Sequence, residues 1–173
     1  MTEKAKVYFL GAGMIAVPVL KAALESPLIE IAGIGTQPDR PSGRKRKMTA
    51  SPLGLWCEEN SINVEKINSV NSPEFLESIR AKKIDMLLVV SFGQILKQDL
   101  LNLPGAGCIN VHASLLPKYR GASPIASAIL NGDSETGVCF MKMDKGLDTG
   151  AVYKTFRMQL TGKEDAESLE LAL

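Results

Sequence analysis

The sequence is short of the groups that most often announce a function. It holds one histidine in 173 residues, and its three cysteines form no C-x-x-C pair. A zinc cluster and a disulfide framework are thereby excluded, and no metal is expected. Cys57, Cys108 and Cys139 read as small buried hydrophobes in a reducing compartment. No apolar run approaches the roughly 18 residues needed to span a bilayer, so no membrane partner is expected. The opening Met1-Thr2-Glu3-Lys4-Ala5-Lys6 has neither a signal-peptide core nor an Arg-rich, acid-poor transit pattern. A cytoplasmic protein is expected. Charge of one sign is also missing. Lys and Arg number 20 against 19 Asp and Glu, so any nucleic-acid surface has to be local.

What is present fits one α/β domain. Apolar residues make up 45% and charged residues 23%, which suits a soluble globular chain and excludes collagen, coiled coil and disorder. A chain of this length buries roughly 70% of its unfolded surface, enough for one core. Apolar, β-rich runs at 7–10, 29–34, 86–90 and 108–112 predict buried strands. Helical spacing covers 14–24. Ser51-Pro52 and Ser72-Pro73 place an N-cap before a first-turn proline, opening helices to about 60 and over 74–83. Further helices are predicted at 98–102 and from Pro124 to Asn131-Gly132, and strands at 137–143 and 151–160. Residues 36–50 lack apolar periodicity and read as one long loop. Alternating strands and helices imply a Rossmann-like, mainly parallel sheet with flanking helices, in which the last two strands are candidates for antiparallel pairing. The run 163–173 starts a helical pattern and stops without a C-cap signal, as in a carboxy-terminally truncated domain.

Several motifs carry chemistry. Gly11-Ala12-Gly13-Met14-Ile15-Ala16 lies between a strand and a helix, in the GxGxxA form of a dinucleotide turn. The acidic ribose ligand that should end the second strand is missing, so the glycines read as a tight, closely packed turn. The 36–47 loop carries Arg40, Arg44, Lys45, Arg46 and Lys47. It is either a solvated loop or a phosphate or RNA contact. Asn110 and His112 are two apart on a strand, so an amide and an imidazole project together, near its carboxyl end. Asp148 sits in a glycine-rich loop, either as the carboxylate that orients the imidazole or as ordinary turn chemistry. Ser114 lacks the G-x-S-x-G elbow of a serine nucleophile.

These residues resemble a known family. Gly107-Cys108-Ile109-Asn110-Val111-His112-Ala113-Ser114-Leu115-Leu116-Pro117-Lys118-Tyr119-Arg120-Gly121 resembles the signature of the 10-formyltetrahydrofolate-dependent formyltransferases. Asp148, within residues 144–150, resembles that family's catalytic aspartate loop. Residues 37–44 resemble an insert found in the branch of the family that acts on methionyl-tRNA. The first turn departs from the family's usual Gly-Thr-Pro-Asp-Phe.

The resemblance implies a formyltransferase fold and formyl transfer from 10-formyltetrahydrofolate to the α-amine of initiator methionyl-tRNA. The alternatives are another amine acceptor, such as a purine precursor or an amino sugar nucleotide, or an inactive folate- or RNA-binding fragment. It implies Asn110, His112 and Asp148 as catalytic residues. It implies a folate site from Phe92, Gly93, Gln94, Ile95, Leu96, Ser114, Leu115, Leu116 and Pro117, and a tRNA contact from Arg40, Arg44, Lys45, Arg46 and Lys47. Residues 1–173 would be a catalytic domain incomplete at its carboxyl end, without the β-barrel domain that follows in the methionyl-tRNA branch. A monomer is expected.

Overall fold

The computed structural model describes residues 3–42 and 46–173. In chain order the elements are β1 (Ala5–Gly11), α1 (Ala16–Glu25), β2 (Ile29–Thr36), β3 (Arg40–Ser42), β4 (Lys47–Thr49), α2 (Pro52–Glu59), β5 (Glu65–Lys66), α3 (Pro73–Lys82), β6 (Met86–Val90), α4 (Gln98–Leu101), β7 (Cys108–His112), α5 (Pro124–Leu130), β8 (Glu135–Lys142), β9 (Val152–Gln159) and α6 (Ala166–Ala172). Seven strands form one sheet in the order β5-β2-β1-β6-β7-β8-β9. The first five run parallel, whereas β8 pairs antiparallel with β7, and β9 antiparallel with β8. The mainly parallel sheet and the antiparallel close both match the sequence expectation.

Strand β1 is the axis of the molecule. Successive side chains leave a strand on opposite faces. Tyr8 and Leu10 therefore join Leu87, Val89 and Cys108 on one face, under Phe75 and Ile79 of α3 and Leu100 of α4. Val7 and Phe9 join Leu88, Val90 and Val111 on the other, under Leu20 of α1 and Leu53 and Cys57 of α2. The three cysteines are buried and free, as expected. Burial pushes the Cys108 thiol up to about 12, which keeps it an inert thiol.

The predicted helix starts hold where a cap fixes them. The Ser51 hydroxyl accepts from the Gly54 N–H at 3.0 Å and the Ser72 hydroxyl from the Phe75 N–H at 3.2 Å. Such caps are worth about 1 kcal/mol each. Three expectations need correction. Helix α1 starts at Ala16 rather than 14, because Gly13 and Met14 are spent on turns that end in bonds to Ala16 and Val17. The 36–50 stretch is not all loop, since β3 and β4 pair antiparallel as a two-stranded ribbon. Its strands are three residues each and fully exposed, too short and too polar to show a hydrophobic period. Strand β5 has two exposed residues and left no signal either.

Candidate active site

Asn110 and His112 share the face of β7 that also carries Cys108. Cys108 is covered by α4, its Sγ lying 3.9 Å from the Leu101 carbonyl oxygen. Beyond it, Asn110 and His112 are covered by two loops. One is the segment 119–121. The other is the long turn joining β8 to β9, which leaves the sheet at Lys142, beside Ile109, and folds back along the face of β7. Gly150 lets that turn close. A Cβ there would sit 1.9 Å from the Lys142 carbonyl oxygen.

The returning turn brings Asp148 onto the pair. The Asn110 Nδ2 donates to Asp148 Oδ1 at 3.3 Å, and His112 Nδ1 lies 3.7 Å from Asp148 Oδ2. The second spacing is an ion-pair distance, realised when the ring is protonated. Asp148 Oδ2 also accepts from the Gly121 N–H at 2.7 Å, and His112 Nε2 lies 2.9 Å from the Tyr119 carbonyl oxygen. The His112 side chain is 6% exposed and that of Asp148 13%. An amide, an imidazole and a carboxylate thus meet in a shielded place with a defined orientation. Left-handed backbone gathers around them at Ser91, Tyr119, Gly121 and Asp148. Strain of this kind costs about 1–3 kcal/mol per non-glycine residue and collects at sites the surrounding structure over-determines.

The other expected residues divide by position. Val90 is in register with Val111, so the segment after β6 lies beside the end of β7. Within it, the Phe92 and Leu96 side chains belong to the core. The Gln94 amide is spent on the chain, accepting from the Val70 N–H at 3.0 Å and donating to the Ile67 carbonyl at 3.2 Å. Gly93 and Ile95 are left exposed, Ile95 at 78%. Ser114 is buried, and its hydroxyl donates to the Lys118 carbonyl at 2.6 Å, a structural bond that leaves no nucleophile there. Leu115 and Leu116 are half-buried and Pro117 is exposed.

The β3–β4 ribbon springs from the carboxyl end of β2, the edge of the sheet where β7 also ends. Arg40 faces Thr49 and Lys47 faces Ser42 across it, so both basic side chains leave the same side. Arg40, Arg46 and Lys47 are exposed; Arg44 and Lys45 lie outside the described residues.

The first turn is packed rather than open. A Cβ on Gly11 would approach Phe9, Ala16 and Leu53 within about 3 Å, and one on Gly13 would meet Glu170 and Ser91. Thr36, where a ribose-binding acid would stand, is buried and bonded to Ser51 at 2.6 Å. Glu170 of α6 was not foreseen. Its carboxylate accepts from the Ile15 N–H at 3.2 Å and caps the amino end of α1, which has no cap of its own. Only contact across the whole chain could reveal it. Among the described residues there is no group of three or more His, Cys, Asp or Glu able to hold a metal. No helix there is long and apolar enough to cross a membrane.

Comparison with known proteins gives this arrangement a context. The methionyl-tRNA formyltransferase of Geobacter metallireducens is 44% identical over 163 residues, covering 94% of this chain and 52% of its own length. That of Clostridioides difficile is 48% identical over 145 residues, covering 84% of this chain and 47% of its own. The chain therefore spans about half the length of the curated relatives it matches. The crystal structure of phosphoribosylglycinamide formyltransferase from Bacillus halodurans superposes with a TM-score of 0.75 at 21% identity, covering 96% of this chain and 86% of its own, a likeness of fold. The family described as formyl transferase matches residues 5–173, and the chain belongs to it.

Proposed function

We propose that the chain is the catalytic domain of an enzyme that moves a formyl group from 10-formyltetrahydrofolate to the α-amine of initiator methionyl-tRNA. The observation that carries this reading is the meeting of Asn110, His112 and Asp148 on one face of β7. Substrate identity draws on the relatives, which are named for that reaction. The reading takes the protein as a cytoplasmic monomer whose partners are the folate and the tRNA.

The residues at the end of β6 and β7 suit a flat ring with a polar rim. Exposed Ile95 and half-buried Leu115 and Leu116 offer apolar surface, and Gly93 brings backbone close without a side chain. The bound folate supplies the formyl carbon. The rest is the work of this chain's residues. As the amine adds to that carbon, negative charge collects on the formyl oxygen. Asn110 has two N–H groups and spends one on Asp148, so the other is free to donate to the oxygen. The Nε2–H of His112 is spent on the Tyr119 carbonyl, so the second donor is Nδ1 of the protonated ring, with Asp148 beside it as counter-charge. Asp148, ionised until then, accepts the amine's proton through a water. As the tetrahedral adduct collapses, the bond from the formyl carbon to N10 breaks and that proton passes to N10, which leaves as tetrahydrofolate. The basic side of the β3–β4 ribbon would take the phosphates of the acceptor arm.

The test is single-turnover formylation of methionyl initiator tRNA with protein in excess, beside a His112→Ala control. Formyl-methionyl product that disappears in the control supports substrate, reaction and residue together. Product that persists in the control removes His112 from the mechanism. Transfer to glycinamide ribonucleotide or an amino sugar nucleotide, with none to the tRNA, replaces the acceptor.

A further inference from the structure

His112 is the only histidine in the chain, and its ring is gripped from one side. Nε2 lies 2.9 Å from the Tyr119 carbonyl oxygen. A backbone carbonyl only accepts, so this bond requires a proton on Nε2. In the neutral ring, Nδ1 then bears the lone pair, and Nδ1 is the nitrogen that faces Asp148. The placing of one peptide group therefore decides which nitrogen of His112 is free for chemistry.

That peptide group is held from outside the site. Tyr119 has a left-handed backbone, φ 54°, which an L residue adopts only when something fixes it. Its phenol donates to Asp133 Oδ2 at 3.0 Å. Burial first, and then the bond to Asp133, push the phenol's pKa up, so it stays a donor. Lys118 Nζ lies 3.3 Å from the same oxygen, and the Lys118 carbonyl takes the Ser114 hydroxyl. Asp133 itself is fixed in the turn after α5 by its N–H bond to the Ala128 carbonyl at 3.1 Å. Two residues beyond Tyr119, the Gly121 N–H grips Asp148. The same short turn thus orients both ionisable members of the site.

We infer that Asp133 is a positioning residue, which through the Tyr119 hydroxyl fixes the 119–121 turn and so the Nε2–H tautomer of His112. The kinetic consequence rests on the formyl-transfer reading. The tautomer is a property of the free chain and does not.

The experiment labels the single histidine with ¹⁵N in both ring positions and follows its two resonances up the pH scale until they stop moving, which defines the neutral ring. The wild-type chain is expected to show a protonated-type Nε2 and an unprotonated-type Nδ1. Tyr119→Phe and Asp133→Ala are expected to draw the two shifts together, as the Nδ1–H tautomer becomes populated. Asp133→Asn keeps an oxygen that accepts the phenol proton and is expected to restore the wild-type pattern. In single-turnover formylation, the saturated rate should fall about tenfold in Tyr119→Phe and Asp133→Ala, equivalent to about one lost hydrogen bond, with half-saturation within about twofold. Wild-type ring shifts in both of those variants, with the backbone amide spectrum still that of the folded chain, overturn the inference. So does an Nδ1–H tautomer in the wild type. Tyr119→Phe is nearly isosteric, so the question stays answerable if Asp133→Ala unfolds. The expected shifts in a chain that formylates nothing support the positioning role and overturn the reaction.

Discussion

The middle of the sheet and its β9 edge are built to different rules. At β1, four consecutive side chains, Val7 to Leu10, are at most 1% exposed, and helices cover both faces. At β9, Val152, Tyr153 and Phe156 are between 42% and 58% exposed, and a shallow apolar groove with Phe140 and Ile109 runs beside them. Between the two, β7 is apolar on one face and on the other passes from buried Cys108 to Asn110 and His112. The closed middle supplies stability and a rigid frame. The polar cluster stands where helical cover stops and loops take over, which fits the tendency of sites to sit on loops held by a rigid scaffold.

Four variants break or sharpen that contrast. Phe9→Ala empties the doubly covered middle and should cost about 3–5 kcal/mol in urea unfolding. Phe156→Ala, at the open end, gives up an edge-on contact with Phe140 at 6.0 Å and should cost about 1 kcal/mol. Equal losses would erase the distinction. Asn110→Ala should lower the single-turnover rate about 10²–10³-fold, the usual loss for one donor to a developing oxyanion, equivalent to about 2.7–4 kcal/mol of barrier. A loss below tenfold would remove Asn110 from that role. Next is the double replacement of Arg44 and Lys45 by Ala, which should flatten the log-affinity against log-salt slope for tRNA by about 1.4–1.8 with folate binding intact. An unchanged slope would make the basic stretch a solvated one.

The smallest effect is expected at Glu164, before α6. Its carboxylate accepts from the Thr161, Gly162 and Lys163 N–H groups and the Thr161 hydroxyl, and these bonds hold its pKa down at about 2. A depressed acid adds stability that is complete above its unfolded value of about 4.3 and is lost as the pH falls through the folded value. Urea midpoints of the wild type should therefore slope downward from about pH 4.5 toward 2, and the slope should shrink in Glu164→Gln.

How much of this was legible in the sequence follows from the range of the interactions. Strands β6 and β7 and the caps at Ser51 and Ser72 are written in neighbouring residues, and each appears where expected. Asn110 and His112 share a strand, so their common face was legible as well. Asp148 was legible as a residue type in a suggestive loop. Its reach onto β7 was one of two readings, favoured by the family resemblance; the residues alone could not decide it, because it depends on how β8 and β9 pair and on Gly150 closing against Lys142. The Phe92 and Leu96 side chains, which lie in the core, show a second limit. An apolar residue beside a site looks the same in sequence whether it faces a ligand or the core. The ribbon of β3 and β4 was hidden because its pairing, not its hydrophobicity, defines it.

The contact between Glu170 and Ile15 has a kinetic consequence. It closes a loop of 155 residues, against 38 for Asn110 and Asp148. Closure entropy grows only logarithmically, so the longer loop costs only about 1 kcal/mol more. In time the two differ more, because contacts between distant parts of the chain form late in folding. The Ile15 amide proton is thus a built-in clock for the docking of α6. Its exchange with deuterium should outpace that of the β1 amides and mark the first part of the molecule to come undone.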